Sequence, residues 1–305
     1  LKDILSQCEL CPRRCGVDRL AGQRGYCKAG AGVELYRYGL HHGEEPPISG
    51  TRGSGTVFFS RCTLRCIYCQ NYPWSQEGGG DTYSVDGLAA VFGELADQGA
   101  HNLNLVSPTP WLPAIRDALV PLKKSGHLPP VVYNTSGFER VETLEYFANL
   151  VDLYLVDLRY ADSESAAEGS DSPGYVDCAR NAFRAMWRQA GPLEYDDEGV
   201  AQRGTICRIL VLPGRAGEAV DNLRWLAEFA GTEVAVSVMS QYTPAFRANN
   251  VPGWNRRVNA GEYDLVCEEV KQLGFSTGWI QNIVDESVPD MVGFRMEPGP
   301  ERQGE

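Results

Sequence analysis

From Thr56 onward the chain alternates six times between short apolar or β-branched runs and longer amphipathic stretches. The runs at 56–61, 102–107, 131–135, 152–158, 205–212 and 233–239 have the length and composition of strands. The stretches at about 86–98, 110–124, 140–149, 174–190, 218–230 and 260–273 carry the apolar spacing of helices with one buried face. Strand-then-helix units build a mostly parallel sheet, because a parallel neighbour is reached only through a crossover. Six units are fewer than the eight that close a TIM barrel. The expected fold is α/β, a partial (β/α)6 TIM-like barrel, although a doubly wound sheet satisfies the same alternation.

Nearly every expected strand ends in a polar or Gly/Pro turn. These are Arg61-Cys62, Ser107-Pro108-Thr109-Pro110, Asn134-Thr135-Ser136-Gly137, Asp157-Leu158-Arg159, Pro213-Gly214 and Ser240-Gln241-Tyr242. Parallel α/β folds build their sites at the C-terminal strand ends, so these turns converge on one rim. The Ser-, Glu- and Ala-rich stretch 161–173 reads as a mobile surface loop or lid, and 191–204 and 244–260 as long connections. The expected division is a cysteine-rich, metal-binding extension over 1–50, a barrel over 51–290 and a flexible acidic tail over 291–305.

Cys62-Thr63-Leu64-Arg65-Cys66-Ile67-Tyr68-Cys69 follows the first strand. Spacings of three and then two residues let one tight loop wrap three thiolates around a cuboidal 4Fe–4S cluster. Three thiolates for four irons leave one iron without a protein ligand, unlike the usual four-cysteine site. An open metal position marks a catalytic rather than a structural site. In this reading the amino and carboxylate groups of S-adenosylmethionine fill it. Plainer readings are three buried thiols, or a zinc knuckle with a distant fourth ligand. Tyr68 is placed either against the adenine or in the core.

From residue 8 to roughly 275 the chain resembles the radical S-adenosylmethionine superfamily, and more narrowly the PflX-type branch of proteins related to the pyruvate formate-lyase activating enzyme. The resemblance is carried by Phe58-Phe59-Ser60-Arg61 and the cysteine loop through Gln70-Asn71, by 100–109, by Tyr133-Asn134-Thr135-Ser136-Gly137, by 156–160 and by 208–214. It implies reductive cleavage of S-adenosylmethionine at the cluster to a 5′-deoxyadenosyl radical that abstracts hydrogen, with the cofactor doing the hard chemistry. The superfamily usually has Gly-Gly-Glu after its second strand; Ser107-Pro108-Thr109 stands here, so hydroxyls and carbonyls must hold the methionine amino group. Asn134 stands where activases have an aspartate at a cation site, and Asp157-Leu158-Arg159 where they have Asp-Leu-Lys. Arginine grips a carboxylate bidentately, so Arg159 or Arg208 is the expected partner of the S-adenosylmethionine carboxylate. Ser107, Thr109, Asn134, Ser136, Asp157 and Gln241 complete the expected cofactor-binding set; a rim salt bridge without ligand is the plainer reading of the charged members. No residue is assigned to the abstraction itself.

Seven of the ten cysteines lie between Cys8 and Cys69. Cys8-x2-Cys11-x3-Cys15, with Cys27 further on, supplies four thiolates in a segment too poor in apolar residues to order without metal, as zinc or as an auxiliary iron–sulfur cluster. Crowding in the first quarter of a 305-residue chain, with no export signal read at its start, suits a reducing cytoplasm better than a disulfide framework. A formal charge of −12 argues against nucleic acid or anionic lipid as partner, and no apolar run spans a bilayer. The first 40 residues are locally basic, and Arg13, Arg14, Arg19 and Arg24 are expected to dock an acidic flavodoxin or ferredoxin.

Cys178, Cys207 and Cys267 read as small buried thiols. Gln241 and Tyr242 are expected to face the site, and Trp74 and Trp111 to line its opening or to pack. The reading that follows is a radical enzyme that activates a glycyl-radical protein partner, or that modifies a peptide side chain or small molecule. The rival from another class is a noncatalytic iron–sulfur or zinc protein.

Overall fold

The computed structural model describes residues 2–126 and 128–283. The stretch 291–305, expected as a tail, lies outside them, as does the end of the segment 51–290. In chain order the elements are α1 (Lys2–Ser6), β1 (Val33–His41), α2 (Pro46–Ser49), β2 (Ser54–Phe59), α3 (Tyr72–Ser75), β3 (Asp81–Tyr83), α4 (Val85–Asp97), β4 (Leu103–Val106), α5 (Leu112–Lys124) and β5 (Val131–Thr135). There follow α6 (Val141–Phe147), β6 (Leu153–Asp157), α7 (Ser163–Ser170), α8 (Tyr175–Ala190), β7 (Glu194–Tyr195), β8 (Ala201–Leu210), α9 (Ala216–Ala230), β9 (Ala235–Met239), α10 (Ala260–Leu273) and β10 (Gly278–Ile280).

The sheet order is β10-β9-β8-β6-β5-β4-β2-β1-β3. Pairing is parallel from β10 through β2 and antiparallel at β1 and β3. The six expected strands are present as β2, β4, β5, β6, β8 and β9, each followed by its expected helix, and the architecture is a partial TIM-like barrel. Four features depart from expectation. Val33–His41 is a strand rather than loop; a register shift between Leu35 and Arg37 breaks its alternation and hides it in the sequence. β10 extends the parallel set. The stretch 191–204 is in part a hairpin, β7 against the start of β8. The fourth is α7, which replaces the expected lid.

Strand residues alternate between the two faces. One parity, including Val57, Leu105, Tyr133, Val156, Ile209 and Val238, is buried in the core beneath the helices, and Cys207 belongs to it. The other parity faces the barrel interior and grades from apolar to polar. At its lower end Val132, Leu153, Leu155, Ile206 and Ala235 surround Ile48, carried in by α2. The Asn102 amide donates to the Ile48 carbonyl (2.7 Å) and holds this plug.

The segment 161–173 forms a helix because Asp162 caps it, accepting from the Ser165 amide (2.8 Å), and because its small residues let it sink into the barrel wall. Gly169 and Ser170 are buried, and a Cβ on Gly169 would lie 2.5 Å from the Trp254 ring and 2.5 Å from the Tyr160 hydroxyl. Gly169→Ala should therefore cost about 1–3 kcal/mol through overpacking. Gly93→Ala, where a Cβ on α4 meets open space, should gain about 0.5–1 kcal/mol. Thermal denaturation of the two variants checks the contrast: the first melts below the parent chain and the second above it.

Candidate functional site

The polar end of the barrel interior is a cavity of about 290 Å³. Of the residues expected to bind cofactor, Ser107, Asn134, Ser136, Asp157, Arg159, Arg208 and Gln241 line it. Glu44 and Glu45, unforeseen in the sequence, line it too. Both carboxylates accept from the Arg208 guanidinium, with Nε 2.8 Å from Glu45 Oε1. Burial alone would raise the Glu45 carboxyl, but Arg208 outweighs it and holds the group below the usual range. The Asn104 amide donates to Glu44 (2.8 Å). Arg208 is thus committed to two carboxylates that join it from the far side of the sheet. Arg159 lies over Asp157, with Nη2 2.7 Å from Oδ2.

The cysteine loop leaves β2 through Arg61, whose φ of 71° turns the chain sharply. Arg61 Nε donates to Glu34 (2.6 Å), and Gly78 passes over that guanidinium at a φ of 86°, a conformation that favours glycine. The Leu64 amide faces Cys62 Sγ (3.5 Å), and Ser75 Oγ lies 3.3 Å from Cys69 Sγ. Cys66 Sγ accepts from Arg159 (3.1 Å) and Ser170 (3.0 Å). Burial pushes the Cys69 thiol up to about 12, and it raises that of Cys62; in both cases the neighbouring Cys66 adds to the effect, as close sulfurs must. Among the described residues no three His, Cys, Asp or Glu side chains converge as ligands of a single metal ion. Three thiols of one loop can each bind a different iron of a multi-iron cluster.

The four amino-terminal thiols also gather. Burial pushes Cys11 up to about 12, with Cys27 and Cys15 contributing; burial likewise raises Cys27, with Cys8 and Cys15 contributing. Gly25 permits this, since a Cβ there would lie 2.8 Å from Cys15 Sγ. The segment is moored to the barrel. Arg19, 2% exposed, donates to the carbonyls of Gly30 (2.9 Å) and Pro110 (2.7 Å). Arg13 donates to the Thr63 carbonyl (3.1 Å) inside the cysteine loop and lies 3.8 Å over the Tyr26 ring. Arg19 is therefore a buried anchor and not part of a docking surface.

Other expected residues lie elsewhere. Tyr68 is buried away from the cavity, stacked on Trp254 (5.4 Å) and beside Tyr242, whose hydroxyl donates to the Trp254 carbonyl (2.7 Å). Trp111 is buried and donates to Ser60, and Trp74 stacks on Tyr36, so both pack. Thr109 turns to Glu139, a buried carboxyl that accepts from Thr109 and Thr135 (2.6 Å each) and whose Oε2 has no hydrogen-bond partner among the described residues. Glu139 borders a small void shared with Cys62, Thr63 and Ser107. Its only signal in the sequence is one acidic residue in a strand-end turn.

Burial pushes the Glu139 carboxyl up to about 7, against the pull of its hydroxyl donors. The folded chain therefore holds this proton more tightly than the unfolded one, whose carboxyl titrates near 4.5. The stability it contributes is full below that value and is lost as pH rises through 7. Glu139→Gln should match the parent chain near pH 4.5 and exceed it at pH 8 by up to about 3 kcal/mol. Denaturant unfolding of the pair across this range reads the difference.

No protein-family model matches the chain. An uncharacterised protein of Methanocaldococcus jannaschii is 29% identical over 276 residues, covering 88% of this chain and 75% of that protein. Among solved structures, HydG, a maturase of the FeFe-hydrogenase, aligns with a TM-score of 0.51 at 13% identity, over 79% of this chain and 54% of that one. SuiB of Streptococcus suis aligns with a TM-score of 0.47 at 11% identity, over 73% of this chain and 47% of that one. The chain thus spans about half the length of these two solved proteins. Its barrel shares the fold of HydG.

Proposed function

We propose that this chain is a radical S-adenosylmethionine enzyme whose 4Fe–4S cluster is held by Cys62, Cys66 and Cys69. The observation that carries the reading is the placement of three adjacent thiols in one loop, Cys66 buried and Cys62 and Cys69 partly buried, at the C-terminal ends of parallel strands and beside a polar cavity. A 4Fe–4S cluster held by Cys62, Cys66 and Cys69 would supply the one-electron reduction that cleaves S-adenosylmethionine and so starts radical hydrogen abstraction. The residues of the chain bind, orient and shield. Arg208 is neutralised by Glu44 and Glu45, which leaves Ser107, Asn134, Ser136, Gln241 and the remaining N–H groups of Arg159 to hold the methionine moiety. The cavity charges of Glu44, Glu45 and Asp157 exceed those of Arg159 and Arg208 by one, which favours a cationic sulfonium. No helix among the described residues is long and apolar enough to cross a membrane.

Within this class the favoured reaction is activation of a glycyl-radical protein. A sheet that ends at β10 and β3 among the described residues supports access by an extended peptide. The four amino-terminal thiols, which influence one another's ionisation, are assigned to a second iron–sulfur cluster, because an enzyme that needs a low-potential electron gains an entry point for it there. Its reductant is a flavodoxin or ferredoxin of the cytoplasm, docking at exposed Arg14 and Arg24.

Anaerobic reconstitution should give a chain that binds iron and sulfide at both centres and forms 5′-deoxyadenosine from S-adenosylmethionine with dithionite. Cys66→Ala should form none. Zinc at Cys62, Cys66 and Cys69, or an iron–sulfur chain inert to S-adenosylmethionine, would return the reading to a noncatalytic metalloprotein. Reversing charge at Arg14 and Arg24 should lower flavodoxin-driven turnover several-fold at low salt while leaving dithionite-driven turnover intact. Equal loss by both routes would remove the docking assignment.

A further inference from the structure

Among the described residues, Cys66 is the one thiol of the loop whose sulfur is met by two side chains from distant segments. Arg159 Nη1 stands 3.1 Å and Ser170 Oγ 3.0 Å from its Sγ. The serine is itself part of a buried chain of hydroxyls: Tyr160 lies 2.6 Å from Ser170, and Tyr68 lies 2.7 Å from Tyr160. None of the three is more than 6% exposed.

The direction of this chain follows from counting hydrogens. A sulfur that ligates iron carries none and can only accept, so the single hydroxyl hydrogen of Ser170 points at Cys66. Ser170 must then accept from Tyr160, and Tyr160, having donated, must accept from Tyr68. All three O–H dipoles align towards the sulfur, and aligned donors polarise one another. Arg159 adds a formal positive charge from the other side, partly balanced by Asp157 (2.7 Å). Reduction places one more negative charge on the cluster and its sulfurs, and hydrogen bonds to those sulfurs stabilise that form.

We infer that Arg159 and the relay Tyr68–Tyr160–Ser170 are positioning residues that raise the reduction potential of the iron–sulfur cluster Cys66 helps to hold, so that a biological donor can reduce it. The inference rests on the cluster assignment proposed above. The step is the uptake of one electron from an external reductant, flavodoxin or dithionite, with no bond made or broken. It also gives α7 a task. This helix delivers Ser170 to the sulfur, and its Gly169 and Ser170 carbonyls accept from the Ile67 and Arg65 amides (2.9 and 3.2 Å). A lid would do neither.

The test is a redox titration of the reconstituted full chain, following the electron paramagnetic resonance signal that Cys66→Ala abolishes. Ser170→Ala should shift the midpoint potential to a more negative value with iron content unchanged, and Arg159→Met should shift it further. Tyr160→Phe, which keeps the serine hydroxyl but removes its donor, should move it less and in the same direction. Ser172→Ala removes a buried hydroxyl that has no hydrogen-bond partner among the described residues and should leave the potential where it was. Parent-like potentials in Ser170→Ala and Arg159→Met, at full iron content, would overturn the inference while leaving the cluster assignment standing. Should Ser170→Ala fail to hold a cluster, Tyr160→Phe decides by the same criterion. A parent chain with no Cys66-dependent signal would overturn the cluster assignment and the inference together.

Discussion

The arrangement depends on keeping three thiols out of water at the mouth of an open barrel. A loop of eight residues cannot satisfy its own backbone there, and unpaired buried amides are costly. Its hydrogen bonds come from three places far apart in the chain. The Arg61 amide donates to the Trp74 carbonyl (2.9 Å), the Arg65 and Ile67 amides to α7, and the Ile67 carbonyl accepts from the Ala248 amide (2.9 Å). The Cys66 carbonyl accepts from the Gln76 side chain (2.8 Å). The segment from α3 to Gln76, helix α7 and the turn at Ala248 are thereby tied to one requirement.

The barrel itself was legible because its signals are periodic. Alternating burial along strands and the 3.6-residue spacing of helices are written locally, and each expected strand and helix lies close to its observed bounds. What escaped is set by contacts between distant segments. Ser163–Ser170 has a loop's composition, and its helix is defined by Trp254 and Tyr160 on one side and the cysteine loop on the other. The meeting of Arg208 with Glu44 and Glu45 joins residues more than 160 positions apart, which no local pattern announces. The cavity residues expected at strand ends were legible because position on a strand settles which face they occupy. Tyr68 was not, since it lies in a turn where that rule lapses.

The amino-terminal segment shows a related economy. It has few apolar residues of its own, yet it is ordered against the barrel by arginines whose guanidinium groups reach backbone carbonyls or aromatic rings. Arg13 reaches Thr63, Arg19 reaches Pro110, and Arg65 of the cysteine loop returns the contact over Tyr26 (4.8 Å). Two groups of thiols are in this way joined by rigid, charged links rather than by a flexible tether.

The Ile48 plug has a consequence for whatever chemistry takes place above it. Among the described residues, apolar side chains packed around Ile48 fill the lower end of the interior, which leaves the polar rim as the doorway of the chamber. A short-lived reactive species made inside meets only the chamber wall or the guest standing in that doorway. Selectivity then depends on which guest fits the threshold, and the closed floor confines the damage when none is present.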